Sequence, residues 1–297
     1  MATRVSLYGN GLFNDPPPPG LPYAKQIVQL LEAKFTTALL WSIHVHPNGD
    51  LYYNDTPLVQ NQQFKLSAEF IRNVKTLHGG GVKELLISIG AWGTATDFTN
   101  LDASWNSGGS ANLQTLFSTL PITAVDFDYE GDYGTDAQNL IVDLTKKIAG
   151  LKVGVTYCPY TATSFWTGCL QKVYSDMNSQ PVRYMNLQCY AGGAGNDPRS
   201  WVSAVKSAGA GITNPGAFIV PGYWVANGSE GNTCPAALQS TLASLAGSGI
   251  DGAFLWNSGD MFANESPNSP LCSNNSTMPD AYANAIRTGL SATTASV

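Results

Sequence analysis

Residues 123–134 read TAVDFDYEGDYG, with Asp126, Asp128 and Glu130 at every second position. In a β-strand that spacing puts the three carboxylates on one face and Val125, Phe127 and Tyr129 on the other. The apolar face reads as the packed one. Inward residues two apart on a strand lie about 6–7 Å from each other by backbone rise, so three acids there cannot all ionise cheaply and protons must be shared. A carboxylic acid kept protonated by a neighbouring acid is what a general acid needs when it protonates a poor leaving group such as a glycosidic oxygen. The alternatives are a Ca²⁺ or Mg²⁺ site and a solvated edge strand. The hydrophobic partner face argues against an edge, and no EF-hand-like loop follows the acids.

The elements that must carry these acids can be read along the chain. Apolar, β-rich runs occur at 4–11, 36–45, 82–93, 122–131, 151–160, 183–191, 216–225 and 249–260. Between them lie segments of helical periodicity, among them PYAKQIVQLLEAKF, LSAEFIRNVKTLHG, DAQNLIVDLTKKIAG, PRSWVSAVKSAG and PAALQSTLASLAGSG, several closed by Gly after the last apolar turn. Strand followed by helix, eight times, predicts an α/β fold of the (β/α)8 TIM-barrel type. An open doubly wound sheet would carry a glycine fingerprint opening a helix after the first strand, whereas YGNGLFNDPPPPG runs into a proline-rich loop. No linker divides the chain, so residues 1–297 are expected to form one domain with a loose tail from about 290. In such a barrel the chemistry sits at the C-terminal ends of the strands. Asp128 and Glu130 end the fourth strand, with Asp126 deeper inside.

Composition narrows the partners. Of 297 residues 43% are hydrophobic and 12% charged, and the net charge is −6. No Lys/Arg cluster supplies the footprint that nucleic acid or an anionic membrane would need, so neither is expected as a partner. No segment approaches the roughly 18 consecutive apolar residues of a membrane span, and the start MATRVSLYGNG lacks an apolar signal-peptide core. Low charge and sequons at Asn54, Asn227, Asn264, Asn274 and Asn275 resemble secreted proteins, so a secreted, extracellular mature form is expected, acting as a monomer. The five cysteines have no CxxC spacing. A Cys158–Cys169 or a Cys234–Cys272 bridge is possible, with connectivity open. His44 and His46, which share a strand face, are the one His pair available and a poor metal site. No metal and no cofactor is expected.

At this point the residues carry a resemblance. AVDFDYE resembles the DGxDxDxE signature on strand four of glycoside hydrolase family 18, the chitinase and endo-β-N-acetylglucosaminidase family. SIGAW (88–92) is similar to the family's SxGG on strand three, MNLQCYA (185–191) to its Q-x-Y on strand six, and GAFLWNSGD (252–260) to its tryptophan on strand eight. These matches run in the family's order from strand three to the end of the chain.

The resemblance implies roles. Glu130 would protonate the glycosidic oxygen and later act as base. The substrate's own N-acetyl carbonyl oxygen, not an enzyme carboxylate, would attack the sugar and give an oxazolinium intermediate with net retention. Asp128 would hold the acetamide N–H and balance the developing positive charge, with Asp126 holding or exchanging a proton with it. Tyr190 would donate its hydroxyl to the acetamide oxygen, Trp256 would floor the −1 sugar, and Gln188 would complete the polar wall. Ser88 reads as structural. Trp92, Tyr133, Tyr160, Trp166, Tyr223 and Trp224 fall near strand ends, where each either lines a cleft or packs. Two departures stand out: Thr123 replaces the signature's first acid, depriving Asp126 of that partner, and Ala91 replaces the second glycine of SxGG.

The implied activity is hydrolysis of β-1,4 bonds next to N-acetylglucosamine, with chitin or N-acetylglucosamine oligosaccharides as partners. One alternative in the same chemistry is an endo-β-N-acetylglucosaminidase acting on the chitobiose core of N-glycans. Another is a non-catalytic chitin-binding or inhibitor protein on the same barrel.

Overall fold

The computed structural model describes residues 3–10, 12–17, 19–91, 95–264, 271–272 and 277–291. In chain order its strands are β1 (Arg4–Tyr8), β2 (Thr37–Val45), β3 (Leu51–Tyr53), β4 (Thr56–Gln60), β5 (Gln63–Phe64), β6 (Glu84–Gly90), β7 (Ala124–Asp128), β8 (Gly154–Tyr157), β9 (Val182–Gln188), β10 (Ile219–Trp224) and β11 (Gly252–Trp256). The eight runs expected from the sequence are β1, β2 and β6 to β11. They pair in parallel, each with its neighbour, and β1 pairs with both β2 and β11, which closes a (β/α)8 barrel. The antiparallel β3, β4 and β5 extend one rim beyond β2.

Helices α1 (Tyr23–Glu32), α2 (Ala68–Gly80), α3 (Thr96–Ser104), α4 (Ser110–Thr119), α5 (Thr135–Gly150), α6 (Thr163–Met177), α7 (Pro198–Ser207), α8 (Pro215–Phe218), α9 (Pro235–Ala243), α10 (Ser258–Ala263) and α11 (Met278–Ser291) fill the connections. The five segments quoted for helical periodicity became α1, α2, α5, α7 and α9. Local chemistry sets several starts. The Ser67 hydroxyl caps α2 by accepting from the N–H of Phe70, and Asp197 caps α7, which has Pro198 at its first position. Helices α3 and α4 escape an apolar-periodicity reading because part of what they bury is polar. Asp97 accepts from the N–H of Val45 at 2.7 Å, and Asn112 donates to the carbonyl of Gly49 at 2.8 Å, so buried hydrogen bonds tie both helices to the β2–β3 rim.

Alternation along the strands sorts the core into two layers. The larger apolar cluster fills the space between barrel and helices and includes Val5, Leu7, Ile87, Ile89, Val125, Phe127 and Tyr129. The smaller one occupies the barrel interior and includes Tyr8, Leu39, Trp41, Leu86, Ala124, Cys158, Tyr184, Phe254 and Trp256. Both faces of β7 are therefore buried, as a strand covered on each side requires. At the N-terminal end of the barrel Glu84 accepts hydrogen bonds from Arg4, Thr37 and Tyr184, each at 3.2 Å.

Cys234 and Cys272 form a disulfide, while Cys158, Cys169 and Cys189 are free thiols. The Cys158–Cys169 alternative is not formed. His44 and His46 do separate work: His44 Nδ1 lies 3.0 Å from Asp97, and the His46 ring stacks on Tyr52. Among the described residues no helix is long and apolar enough to cross a membrane. Asn264 is buried, with its side-chain amide donating to the carbonyl of Ala226. Asn274 and Asn275 lie outside the described residues, as does the expected tail beyond Ser291, where α11 ends.

Candidate active site

The lumen face of β7 carries Asp126 and Asp128 upward to a cavity of about 430 Å³, lined by Trp41, Asp128, Glu130, Gln188, Tyr190, Trp256 and others. Asp126 lies beneath it and is fully buried. One of its oxygens accepts from Thr156 Oγ1 at 2.6 Å and Asn186 Nδ2 at 2.9 Å. The other accepts from the Tyr8 hydroxyl at 2.7 Å and Ser88 Oγ at 2.8 Å. Burial pushes its pKa above the ordinary carboxylate value, against the pull of those hydrogen bonds. Asp128 is 4% exposed. Its carboxylate is held by Trp41 Nε1 on one oxygen and Gln188 Nε2 on the other, each at 3.1 Å. Burial first, then the charges of Glu130 and Asp126, raise its pKa well above the ordinary value. The surroundings of Asp128 thus disfavour its charged form.

Glu130, half-buried at the mouth, follows the strand end. Gln188 Nε2 also donates to Glu130 Oε1 at 3.1 Å, so a single amide from β9 joins the two carboxyls. Trp256 ends β11 and is 8% exposed. Its indole meets Trp41 edge-on at 4.6 Å and lies nearly parallel to the Tyr190 ring at 6.2 Å. Apolar ring faces below and polar groups at the side suit the two faces of a pyranose.

The structure therefore brings Asp126, Asp128, Glu130, Gln188, Tyr190 and Trp256 together. Trp92 lies outside the described residues. Of the other aromatics considered, Tyr160 and Trp224 line the cavity. Trp166 is fully buried against Tyr157 and Phe165, and Tyr133 packs on Phe165 in the same aromatic group. Ser88 holds Asp126 through its hydroxyl, in keeping with a structural reading.

Both departures from the motif acquire a physical meaning. Thr123 stands at an odd spacing from Asp126 and so does not belong to the row; its hydroxyl donates to the carbonyl of Leu85 at 3.1 Å. Asp126 draws its partners from β1, β6, β8 and β9 instead. Ala91 adopts φ +149°, a conformation that a side chain disfavours, and its methyl group packs in the lumen cluster. The first glycine is indispensable by geometry. Gly90 has φ +95°, and a Cβ there would stand 2.4 Å from the carbonyl oxygen of Asp128.

Sequence reasoning missed Tyr8, Trp41, Thr156 and Asn186. Their signal lies in register. Ser88, Asp126 and Thr156 are direct cross-strand partners, as are Gly90 and Asp128, so inward positions at one height form a ring.

Among the described residues no group of three or more His, Cys, Asp or Glu side chains is arranged to hold a metal ion.

The closed (β/α)8 barrel is the fold of solved structures from glycoside hydrolase family 18. Among solved structures the chain is similar to a fungal endo-β-N-acetylglucosaminidase of that family, with a TM-score of 0.64 at 17% identity over 96% of this chain and 98% of the other. A chitinase from Aspergillus fumigatus gives 0.62 at 20% identity over 92% and 95%. An active domain of a thermostable chitinase from Pyrococcus furiosus, solved with chito-oligosaccharides as catalytic-site mutants, gives 0.59 at 14% identity over 96% and 94%. No protein-family model and no curated protein matches the chain.

Proposed function

We propose that this protein is a secreted, monomeric chitinase, a single catalytic domain over residues 1–297 that cleaves β-1,4 bonds of N-acetylglucosamine polymers with retention. The observation that carries the reading is the Gln188 amide shared by Asp128 and Glu130 beside the Trp256 ring. It joins the two carboxyls of the proposed reaction at one donor, beside the ring that would floor the sugar.

In the proposed reaction Glu130 gives its proton to the glycosidic oxygen as the bond to C1 breaks. The acetamide carbonyl oxygen of the −1 sugar attacks C1, forming an oxazolinium ion, while the leaving sugar departs with the proton. Once its proton has passed to Asp126, Asp128 accepts a hydrogen bond from the acetamide N–H and offsets the developing charge, an effect strengthened by its dry surroundings. Asp126 steadies or exchanges a proton with Asp128. The Tyr190 hydroxyl donates to the acetamide oxygen, and Trp256 supports the ring. Glu130, now a carboxylate, takes a proton from water, which attacks C1 and reopens the oxazoline. No metal or cofactor enters this scheme.

A second reading, cleavage of the chitobiose core of N-glycans, is favoured by the similarity to the fungal endo-β-N-acetylglucosaminidase. Mass spectrometry of the products from an N-acetylglucosamine hexamer and from a high-mannose glycopeptide separates the two, with wild type and Glu130→Gln in parallel. Short chitin oligomers from wild type alone are expected. Glycopeptide cleavage alone would move the assignment to N-glycans, and cleavage of neither would leave a carbohydrate-binding protein.

A further inference from the structure

Resting on the secreted reading, we propose that Asn54 is a modification site that carries an asparagine-linked glycan on the β3–β4 rim. Asn54, Asp55 and Thr56 form a sequon. They make the turn between β3 and β4, where Tyr53 pairs with Thr56 across two loop residues. Asn54 takes φ +51°, a left-handed conformation that asparagine tolerates better than most residues. The turn therefore accounts for the asparagine. The fold makes no use of the Thr56 hydroxyl, which the sequon requires: Thr56 is exposed, and its hydroxyl has no hydrogen bond among the described residues.

The amide nitrogen carries the argument. Asn54 Oδ1 accepts from the N–H of Ser42 at 3.3 Å, and the backbone N–H of Asn54 donates to the Ser42 carbonyl at 2.9 Å. The half-buried side chain is thus held by its oxygen, and Nδ2 has no partner among the described residues. Glycosylation replaces one hydrogen on that nitrogen and leaves the lone pairs of the oxygen free, so the Ser42 contact survives it. The sequons at Asn227 and Asn264 differ. Asn264 is 5% exposed and its amide donates to the carbonyl of Ala226. Asn227 Nδ2 donates to Asp260 while its Oδ1 accepts from the N–H groups of Ser229 and Gly231. A glycan on Asn264 would break a buried hydrogen bond, whereas one on Asn54 breaks none.

There is room for the first sugar. A pocket of about 350 Å³ is bordered by Asn54, Asp55, Thr56, Asn14 and Asp15, within the size range of small-molecule sites. Asn10 apart, none of its lining residues borders the catalytic cavity. The donor is an oligosaccharide held through a diphosphate on a lipid carrier. Asn54 Nδ2 bonds to C1 of its reducing-end N-acetylglucosamine, the bond from C1 to the diphosphate oxygen breaks, and the electron pair leaves with the lipid diphosphate. The amide gives up one proton to a base of the transferase.

The test expresses the full chain behind a cleavable secretory leader in a glycosylating host, in a Glu130→Gln background so that the proposed activity cannot trim the product. Mass spectrometric peptide mapping of the leader-free chain is expected to find the glycan on Asn54. Asn54→Gln should lose it, but that variant also alters the turn. Thr56→Ala leaves Asn54 in place and should lose the glycan too, whereas Thr56→Ser should keep it. An unmodified Asn54 in leader-free chain, or a glycan on Asn54 that persists in Thr56→Ala, would overturn the site alone. A leader that is never removed would overturn the secreted reading, and the site with it.

Discussion

The two faces of the barrel wall are built on different rules. Outside the strands, the layer facing the helices is apolar at Val125, Phe127, Ile87 and Val155. Inside, at the neighbouring positions of the same strands, stand Ser88, Asp126, Thr156, Asn186 and Gln188, buried and polar. One residue of sequence separates the two environments because a strand alternates its side chains. Hydrophobic burial makes the outer layer a source of stability, whereas the inner layer desolvates acids, which opposes folding. Folding alone would not select the inner arrangement, and that is the physical content of calling it a site.

The comparison can be broken in a definite order of effect. Glu130→Gln should lower kcat on N-acetylglucosamine oligomers by about 10²–10⁴-fold, the range for loss of a general acid, with an unchanged thermal midpoint. Comparable kcat in the two proteins would remove Glu130 from the chemistry. On the other face, Phe127→Ala should cost about 3–5 kcal/mol in denaturant unfolding, while kcat per folded molecule stays near the parent value. If activity fell and stability held, the division of labour between the faces would be wrong.

Asp128→Asn sharpens the contrast, because it should impair catalysis and stabilise the fold together. A carboxyl whose folded pKa is raised binds more protons folded than unfolded at pH values between its unfolded and folded pKa. Stability from this group is thus present at low pH and is lost as pH rises through that window. The asparagine variant escapes the loss. Its thermal midpoint should exceed the parent's at neutral pH, with the gain shrinking on acidification; a gain independent of pH would dissociate it from proton binding.

Smaller still is Ala91→Gly, which should relieve the backbone at φ +149° and raise stability by at most about 1 kcal/mol. A clear destabilisation would show that the methyl group's packing in the lumen outweighs the strain. Asn227 and Asn264 should remain unmodified in a glycosylating host, since their amides already donate to Asp260 and Ala226. Peptide mapping that found a glycan on either would contradict these contacts.

How much of this was legible follows from the range of each signal. Period-two acids and recurring apolar runs are local, so the barrel and the three acids could be read directly, whereas Gln188, Tyr190 and Trp256 came only through the resemblance of their motifs to glycoside hydrolase family 18. Tyr8 and Trp41 touch Asp126 and Asp128 across 118 and 87 residues, and nothing near either residue announces the register that joins them. The polar anchoring of α3 and α4 was hidden for a related reason: Asp97 and Asn112 look like surface residues until their partners at Val45 and Gly49 are known.

Gly90 has a further consequence, in terms of inheritance. A single base change can turn an acid such as Glu130 into its amide and leave a folded barrel, so the proposed chemistry is easily lost by drift. The close approach of the Gly90 backbone to the Asp128 carbonyl admits no side chain at all. A lineage that discards the reaction should therefore keep this glycine long after the acids have gone, as the imprint of a wall built to bring β6 against β7.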